Sequence, residues 1–546
     1  MILRSGSKSL YTCWRCQTRG IGSKFPSAHS LLSMEKNAES MEKITEKRKK
    51  HESPREPLRL DSMEAASFLD VHIKPQLVAT LQTAFPEVKK PTEPQKQLLL
   101  ALHHKYNLIL RSHAGTGKSL ALLLYLLSTQ RVSHKDPATS LSFLSISCLL
   151  LVPSGDLAIQ CKSWAYKLLG NLPEKERVVQ ILFRGSKEEE SEQDQYHSIH
   201  PRPHLLIATP TRLLDLISNN IRFDFRDLRI LALDEADLLI EPLKKYALEK
   251  EIQKRKHHVP PAEILINYVL QQQEMWATYA KLPNIHFVAI SATANQRLAA
   301  QIYKNKWVRA ISTIGMDPPG GVWGWDLRIP KSIQHSVLLS STSLDATLPT
   351  TTHFNKTIED NIQRKELLDQ AWREGKDIEP KPKFDERWIS AIVKILKHEN
   401  TRNAIIFLHH QLSLNKLRQG LNDEGIETKL DMKTHKDKVM IAHPRAVRGL
   451  DLDISLAICL GLPQGGTEYI HISGRVGRTG RPGKVITIIS EGEAKEMAEL
   501  LLKIGCRSTT YWVQHDKSST HILTSTPKNQ EDLENQGESD INFVGT

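Results

Sequence analysis

The sequence lacks any apolar run long enough to cross a bilayer. Its longest, Leu120–Leu127 (LALLLYLL) and Ser147–Val152 (SCLLLV), are the size of core elements, so no membrane insertion is expected. Cysteine is scarce. Six residues, at 13, 16, 148, 161, 459 and 506, are too scattered along 546 positions for a disulfide framework. Cys13 and Cys16 have no second Cys/His pair nearby to complete a zinc site. Acidic residues are absent from positions 1–34, which carry Arg4, Lys8, Arg15, Arg19 and Lys24 among serines. That composition favours a mitochondrial transit peptide over a disordered basic arm that touches RNA, and no continuous apolar stretch follows the first charge to make a secretory signal. What is present in excess is basic charge. Lys and Arg number 74 against 62 Asp and Glu, a net charge of +12, which favours a polyanionic partner such as nucleic acid.

The chain is organised around Leu108–Ser119 (LILRSHAGTGKS). Leu108, Ile109 and Leu110 read as a buried strand, Gly115, Thr116 and Gly117 as a turn, and Lys118-Ser119 as the start of a helix. A glycine turn at a helix N-terminus exposes backbone N–H groups to a phosphate. Lys118 can then reach the outer phosphates and the Ser119 hydroxyl can ligate Mg²⁺. The usual phosphate-loop pattern has glycine where this chain has Ser112.

Further apolar runs end in small or polar residues: 145–154, 204–210, 228–237 and 285–293. Separated by helix-like sequence, they describe a doubly wound parallel sheet, whose ligands gather beyond the carboxyl ends of the strands. One such end delivers Asp234 and Glu235. Carboxylates there can hold Mg²⁺ through water and deprotonate an attacking water.

With these motifs the chain resembles the DEAD-box RNA helicases, in family order from Phe68 to about Gly483. The resemblance implies two RecA-like doubly wound parallel-sheet domains in tandem, with ATP and Mg²⁺ as cofactors and RNA as partner. Pro91-Thr92 with Gln95 matches the adenine-reading motif, and Ser112, His113, Ala114, Gly115, Thr116, Gly117, Lys118 and Ser119 form the phosphate loop. Pro153, Ser154, Gly185, Thr209 and Arg212 match RNA-backbone contacts, although Gly155 stands where the family usually has Arg. Asp234-Glu235-Ala236-Asp237 is the name-giving motif, with Ser119 and Asp234 implied at Mg²⁺. Ser291 and Thr293, together with Asp237 and His471, would couple the sites. Asp451 would contact the ribose, and Arg475 and Arg478 would be arginine fingers placed on the γ-phosphate by the second domain.

The expected organisation is a transit peptide at 1–34, a charged linker at 35–60, and an ATP-binding domain at 61–325 with a basic insertion at 242–261. A second domain follows at 326–512, with an insertion at 341–385, and then a disordered tail at 513–546. Three departures fall in the second domain. Ile472 replaces an Arg, and His443-Pro444 replaces Thr-Asp. IETKLDM ends at Met432, only five residues (433–437) before KVMIA begins at Lys438. A parallel crossover needs a dozen or more residues, so either a helix is missing or IETKLDM is not a parallel strand. A shortened domain with a weakened RNA face is expected. Two functions fit: an RNA-stimulated ATPase that remodels structured RNA, or an ATP-gated RNA clamp with little strand separation. The divergent motif and acid-free start further resemble fungal mitochondrial members that assist assembly of the large mitoribosomal subunit. That implies large-subunit rRNA and mitoribosomal assembly intermediates as partners, in the matrix.

Overall fold

The computed structural model describes residues 67–510 apart from 136–141, 200–201, 222, 244–248, 278–283, 317–331, 341–383, 410–411, 431–437, 478–480, 505 and 507–508. The transit segment, the linker, the tail, the boundary at 325/326, nearly all of the 341–385 insertion, and Arg478 therefore lie outside the described residues.

In chain order the first half contains α1 (Pro75–Ala84), α2 (Glu93–His103), β1 (Leu108–Arg111), α3 (Lys118–Ser128), β2 (Ser133–Lys135), β3 (Ser142–Leu144), β4 (Cys148–Leu151), α4 (Gly155–Leu168), α5 (Lys175–Val178), β5 (Val179–Leu182) and α6 (Lys187–Ile199). It continues through β6 (Leu205–Ala208), α7 (Pro210–Ser218), β7 (Ile230–Asp234), α8 (Ala236–Ile240), α9 (Glu249–His257), α10 (Pro261–Ala277), β8 (His286–Ser291), α11 (Gln296–Lys304) and β9 (Ser312–Ile314). The second half contains β10 (Ile333–Ser340), α12 (Arg387–His398), β11 (Ala404–Phe407), α13 (Leu414–Asp423), β12 (Thr428–Lys429), β13 (Val439–Ala442), β14 (Leu456–Leu460), α14 (Gly466–Ser473), β15 (Gly483–Ser490), α15 (Ala494–Lys503) and β16 (Thr509–Thr510).

Among the described residues each half builds one seven-stranded sheet, ordered β5-β6-β4-β7-β8-β1-β9 and β12-β13-β11-β14-β15-β10-β16. Every pairing in both is parallel. The strand orders are identical when each half is counted from its own first long strand, so the chain carries the same domain twice. The central strands β4, β6, β7, β11 and β14 are buried along their whole length. Helices covering both faces of a sheet demand this, and it is why these segments are continuous apolar runs rather than alternating ones.

The run IETKLDM is trimmed to the two residues of β12, which pair with β13 in parallel (Thr428 with Val439, Lys429 with Met440). Of the two alternatives, a non-parallel strand is thereby excluded. The connection is residues 430–438, below the usual crossover length, and its middle lies outside the described residues. In the basic insertion, α9 is tethered through Arg255, which donates to Glu263 (2.6 Å) and the Ile240 carbonyl (2.8 Å). Lys254, Lys256, His257 and His258 stay exposed.

Candidate active site

The phosphate loop leaves β1 and turns into α3 through Gly117, whose φ of 79° lies in the left-handed region. A side chain at Gly117 would run into Gln95. Gln95 is 2% exposed and uses both ends of its amide. Its Oε1 accepts from Thr92 N (2.9 Å), and its Nε2 donates to the Gly117 carbonyl (3.0 Å). Thr92 caps α2 and also donates to the Thr116 carbonyl (2.9 Å), so the start of α2 is pinned to the loop. Ser112 has a role that its departure from the glycine pattern did not suggest. Thr116 Oγ1 donates to the His113 carbonyl (2.9 Å), so Ser112 Oγ is the donor of the 2.7 Å bond to Thr116, bracing the loop from within. Lys118 is buried, with Nζ donating to the carbonyls of Ser112 (2.6 Å) and His113 (2.5 Å).

Beyond β7, Asp234 and Glu235 are 1% and 5% exposed. Glu235 has φ 50°, a conformation costing a side-chain-bearing residue about 1–2 kcal/mol. Its N–H donates to Asp234 Oδ1 (2.9 Å). Burial, then the charges of Asp237 and Asp234, push the Glu235 carboxyl up to about 7. Burial also raises Asp234, opposed by a hydrogen bond from Ser119 and by the Lys118 charge. Among the described residues, Asp234 Oδ2 and Glu235 Oε2 are buried with no hydrogen-bond partner. A buried carboxylate oxygen is costly unless something electropositive completes it, so the pair, with Ser119 alongside, fits a hydrated divalent cation. Among the described residues no three His, Cys, Asp or Glu side chains converge as an all-protein metal cage.

A polar seam joins the two domains. Asp237 Oδ1 accepts from Ser291 (2.5 Å), and its Oδ2 accepts from Thr293 (2.8 Å) and from Arg448 of the second domain (3.1 Å). The single Thr293 hydroxyl proton is spent on Asp237, so its 3.0 Å contact with His471 Nε2 requires the imidazole to donate. The neutral Nε2–H tautomer meets that requirement, and burial, with the nearby Arg448, Arg475 and Lys118 charges, holds the His471 pKa well below the usual histidine range. Arg475 is 1% exposed and donates to the carbonyls of His471 (3.1 Å), Val447 (3.2 Å) and Leu450 (2.6 Å). It lies within electrostatic reach of Glu235. Gly474 backs onto Ala114 of the phosphate loop, and Gly449 onto Leu157 and Glu235. The Asp451 N–H donates to Gln160 Oε1 (2.5 Å), whose Nε2 returns a bond to the Gly449 carbonyl (3.2 Å).

The RNA-facing candidates lie at the ends of β4, β5 and β6. Pro153 directly precedes Ser154, which caps α4 and accepts from Leu157 N (3.3 Å). Gly185 is exposed, and Thr209 opens α7 with a buried hydroxyl that has no partner among the described residues. Arg212 is 5% exposed and already paired, with Glu190 (3.2 Å) and Asp194 (2.6 Å) of α6. Sequence reasoning missed Arg448 and Gln160. Arg448 lies three residues before Asp451 within RAVRGLDL, and Gln160 ends the stretch VPSGDLAIQ. Nothing local distinguishes either from a surface residue.

Comparison with known proteins agrees with this arrangement. The DEAD/DEAH box helicase profile matches residues 92–301, and the helicase conserved C-terminal domain matches 388–480, together more than half of the chain. The ATP-dependent RNA helicase dbp8 of Schizosaccharomyces pombe is 26% identical over 86% of this chain and 89% of its own. The probable ATP-dependent RNA helicase DDX28 of Mus musculus is 24% identical over 78% of this chain and 70% of its own. Among solved structures, S. cerevisiae Dbp5 bound to RNA and ADP BeF3 superposes with a TM-score of 0.56 at 18% identity, covering 82% of this chain and 96% of that one. Mss116p bound to ssRNA and AMP-PNP gives 0.52 at 19% identity, covering 84% and 82%. Duplicated parallel-sheet domains, a phosphate loop facing paired acids and matching profiles in both halves lead to one assignment: the chain belongs to the DEAD-box family and is an ATP-dependent RNA helicase.

Proposed function

We propose that the chain hydrolyses ATP in a crevice that both domains complete, and that closure of the crevice grips and remodels structured RNA. The carrying observation is the seam: Asp237, two residues from Glu235, is held by Arg448 of the second domain, and Thr293 by His471. In this reading Gln95 meets the adenine, Asp451 the ribose, and the loop from Ser112 to Ser119 the phosphates. Lys118 exchanges its two carbonyl partners for phosphate oxygens, since an ammonium held by neutral carbonyls gains on meeting a charged acceptor. Ser119 and Asp234 would hold Mg²⁺, which when bound supplies positive charge against the phosphates. Glu235, its carboxyl lifted to about 7, accepts a proton from water as the water oxygen bonds to the γ-phosphorus and the bond to the β–γ bridging oxygen breaks. Arg475 and Arg478 offset the charge that spreads over the γ-phosphate oxygens. Pro153, Ser154, Gly185, Thr209 and Arg212 would contact the RNA backbone, so binding is salt-dependent and poor in sequence information. RNA in the solved Dbp5 and Mss116p complexes supports this partner.

The same proposal sends the protein to the mitochondrial matrix through residues 1–34, to act on large-subunit rRNA in mitoribosomal assembly intermediates. The acid-free basic start supports it. A tagged full chain and one lacking residues 1–34 test this: import of the first alone is expected, and cytosolic retention of both refutes it. A second reading, an ATP-gated clamp, is favoured by the short 430–438 connection. It is also favoured by His443, whose ring is turned onto the Leu408 carbonyl (3.0 Å). Strand displacement with Glu235→Gln as control decides between them. Displacement lost in that variant supports remodelling, and ATP-dependent RNA retention without displacement supports the clamp.

A further inference from the structure

Helix α6 opens with Lys187-Glu188-Glu189-Glu190 and stands beside Gly185 and Arg212. Two of its polar side chains are accounted for by local structure. Ser186 and Glu189 exchange backbone N–H bonds (3.3 and 2.9 Å) as a capping box. Gln193 accepts from Phe183 N (2.8 Å), tying the helix to the end of β5. Glu190 is needed for neither. Its carboxylate instead accepts from Gly185 N (3.3 Å), pairs with Arg212 Nη1 (3.2 Å) and faces Arg184 Nη1 (3.8 Å), whose other terminal nitrogen pairs with Asp215. Asp194 takes the other arm of Arg212 (2.6 Å). One backbone N–H flanked by two guanidinium groups is the donor set that a nucleic-acid phosphate takes. Glu190 stands at the outer side of this cluster, its side chain 22% exposed beside Arg184 at 56%, with Arg212 behind it at 6%.

We propose that Glu190 occupies a backbone-phosphate subsite of the first domain, and that RNA must displace it to engage Gly185, Arg184 and Arg212. This rests on the reading of that surface as the RNA track. The acidic first turn of α6 then sets the strength of the grip. Removing its charge frees donors for RNA, whereas a purely structural ion pair would give looser binding or no change when broken.

Full-length protein, Glu190→Gln, Asp194→Asn, Arg212→Ala and the Glu190→Gln/Arg212→Ala double variant are titrated against a fluorescein-labelled oligo(U) RNA with ADP·BeF3. The salt concentration is varied around 0.1 M, and thermal melting checks folding. Glu190→Gln is expected to bind roughly three- to tenfold tighter at about 0.1 M salt, with log Kd against log salt steeper by about 0.7, one added phosphate contact. Asp194→Asn shifts the same way, and Arg212→Ala removes the gain in the double variant. Both acid variants binding as the wild type or more weakly, on a parallel salt line, overturns the proposal. Absence of nucleotide-dependent RNA binding by the wild type and all variants instead overturns the RNA reading of this surface.

Discussion

Replacing Arg448 by Ala removes a contact that exists only when the two domains meet. Arg448 donates to Asp237 Oδ2 at 3.1 Å with both side chains largely buried, 9% and 12% exposed. Once the guanidinium is gone, Asp237 keeps Ser291 and Thr293, so the first domain retains its internal order. The loss is one charge-assisted hydrogen bond, about 1.5–3 kcal/mol. In the open arrangement both partners are solvated, so nearly all of that falls on the closure equilibrium, roughly a 10- to 150-fold drop in its constant. The assay is steady-state ATP hydrolysis as a function of RNA concentration, paired with nucleotide affinity in the absence of RNA. RNA-stimulated turnover should fall and half-saturating RNA should rise, while RNA-free ADP affinity stays as in the wild type. The control is Arg445→Ala. That residue meets Glu241 across the same seam at 3.6 Å, but the side chains are 65% and 56% exposed, and such pairs contribute little. RNA-stimulated turnover of Arg448→Ala within about threefold of wild type would show that the Arg448–Asp237 contact does not hold the domains closed.

Glu235→Gln should lower ATP hydrolysis by roughly 10²–10⁴-fold with nucleotide binding retained, read by single-turnover kinetics. For the wild type, hydrolysis should rise as pH climbs through about 7, because the lifted Glu235 carboxyl must be ionised to accept a proton. His471 acts in the same direction. Its pKa in the closed seam is depressed, so as pH falls below the ordinary histidine value of about 6.5 the open form takes up the proton first and closure is lost. A flat profile across that range would count against both. Gly449→Ala places a Cβ 2.7 Å from Leu157 Cδ2 at a φ of 75°, so RNA-stimulated turnover should fall while RNA-free ADP affinity holds. Ser112→Ala removes the 2.7 Å brace to Thr116, about 1 kcal/mol. KM for ATP should rise a few-fold with kcat nearly unchanged.

The parallel strands were legible because burial on both faces leaves no room for polar alternation, and each run ended in the small or charged residues that carry chemistry. The phosphate loop and the Asp234–Asp237 cluster were legible for the same reason. Helix α6 was not. Its sequence, KEEESEQDQYHSI, has no apolar stripe, and it is held by Gln193 on Phe183 N and by acid–arginine pairs. The edge strands β9 and β16 have three and two residues, too few for a pattern. The extent of β12 was overestimated because only Thr428 and Lys429 of IETKLDM find partners on β13. Arg448 was invisible because its partner, Asp237, lies 211 positions away, and no local rule predicts contact across a domain seam.

In the proposed mechanism the catalytic crevice is completed only when the domains meet. The most direct measurement is single-molecule energy transfer between dyes on Lys304→Cys and Arg418→Cys, exposed positions in the first and second domains, with Cys13, Cys16 and Cys506 replaced by serine. A broad, open distance distribution is expected for the free protein, with collapse to one short distance when ADP·BeF3 and RNA are added together, and no collapse in Arg448→Ala. An unchanged distribution on adding both ligands, in protein that still hydrolyses ATP with RNA, would rule out closure as the step that completes the crevice.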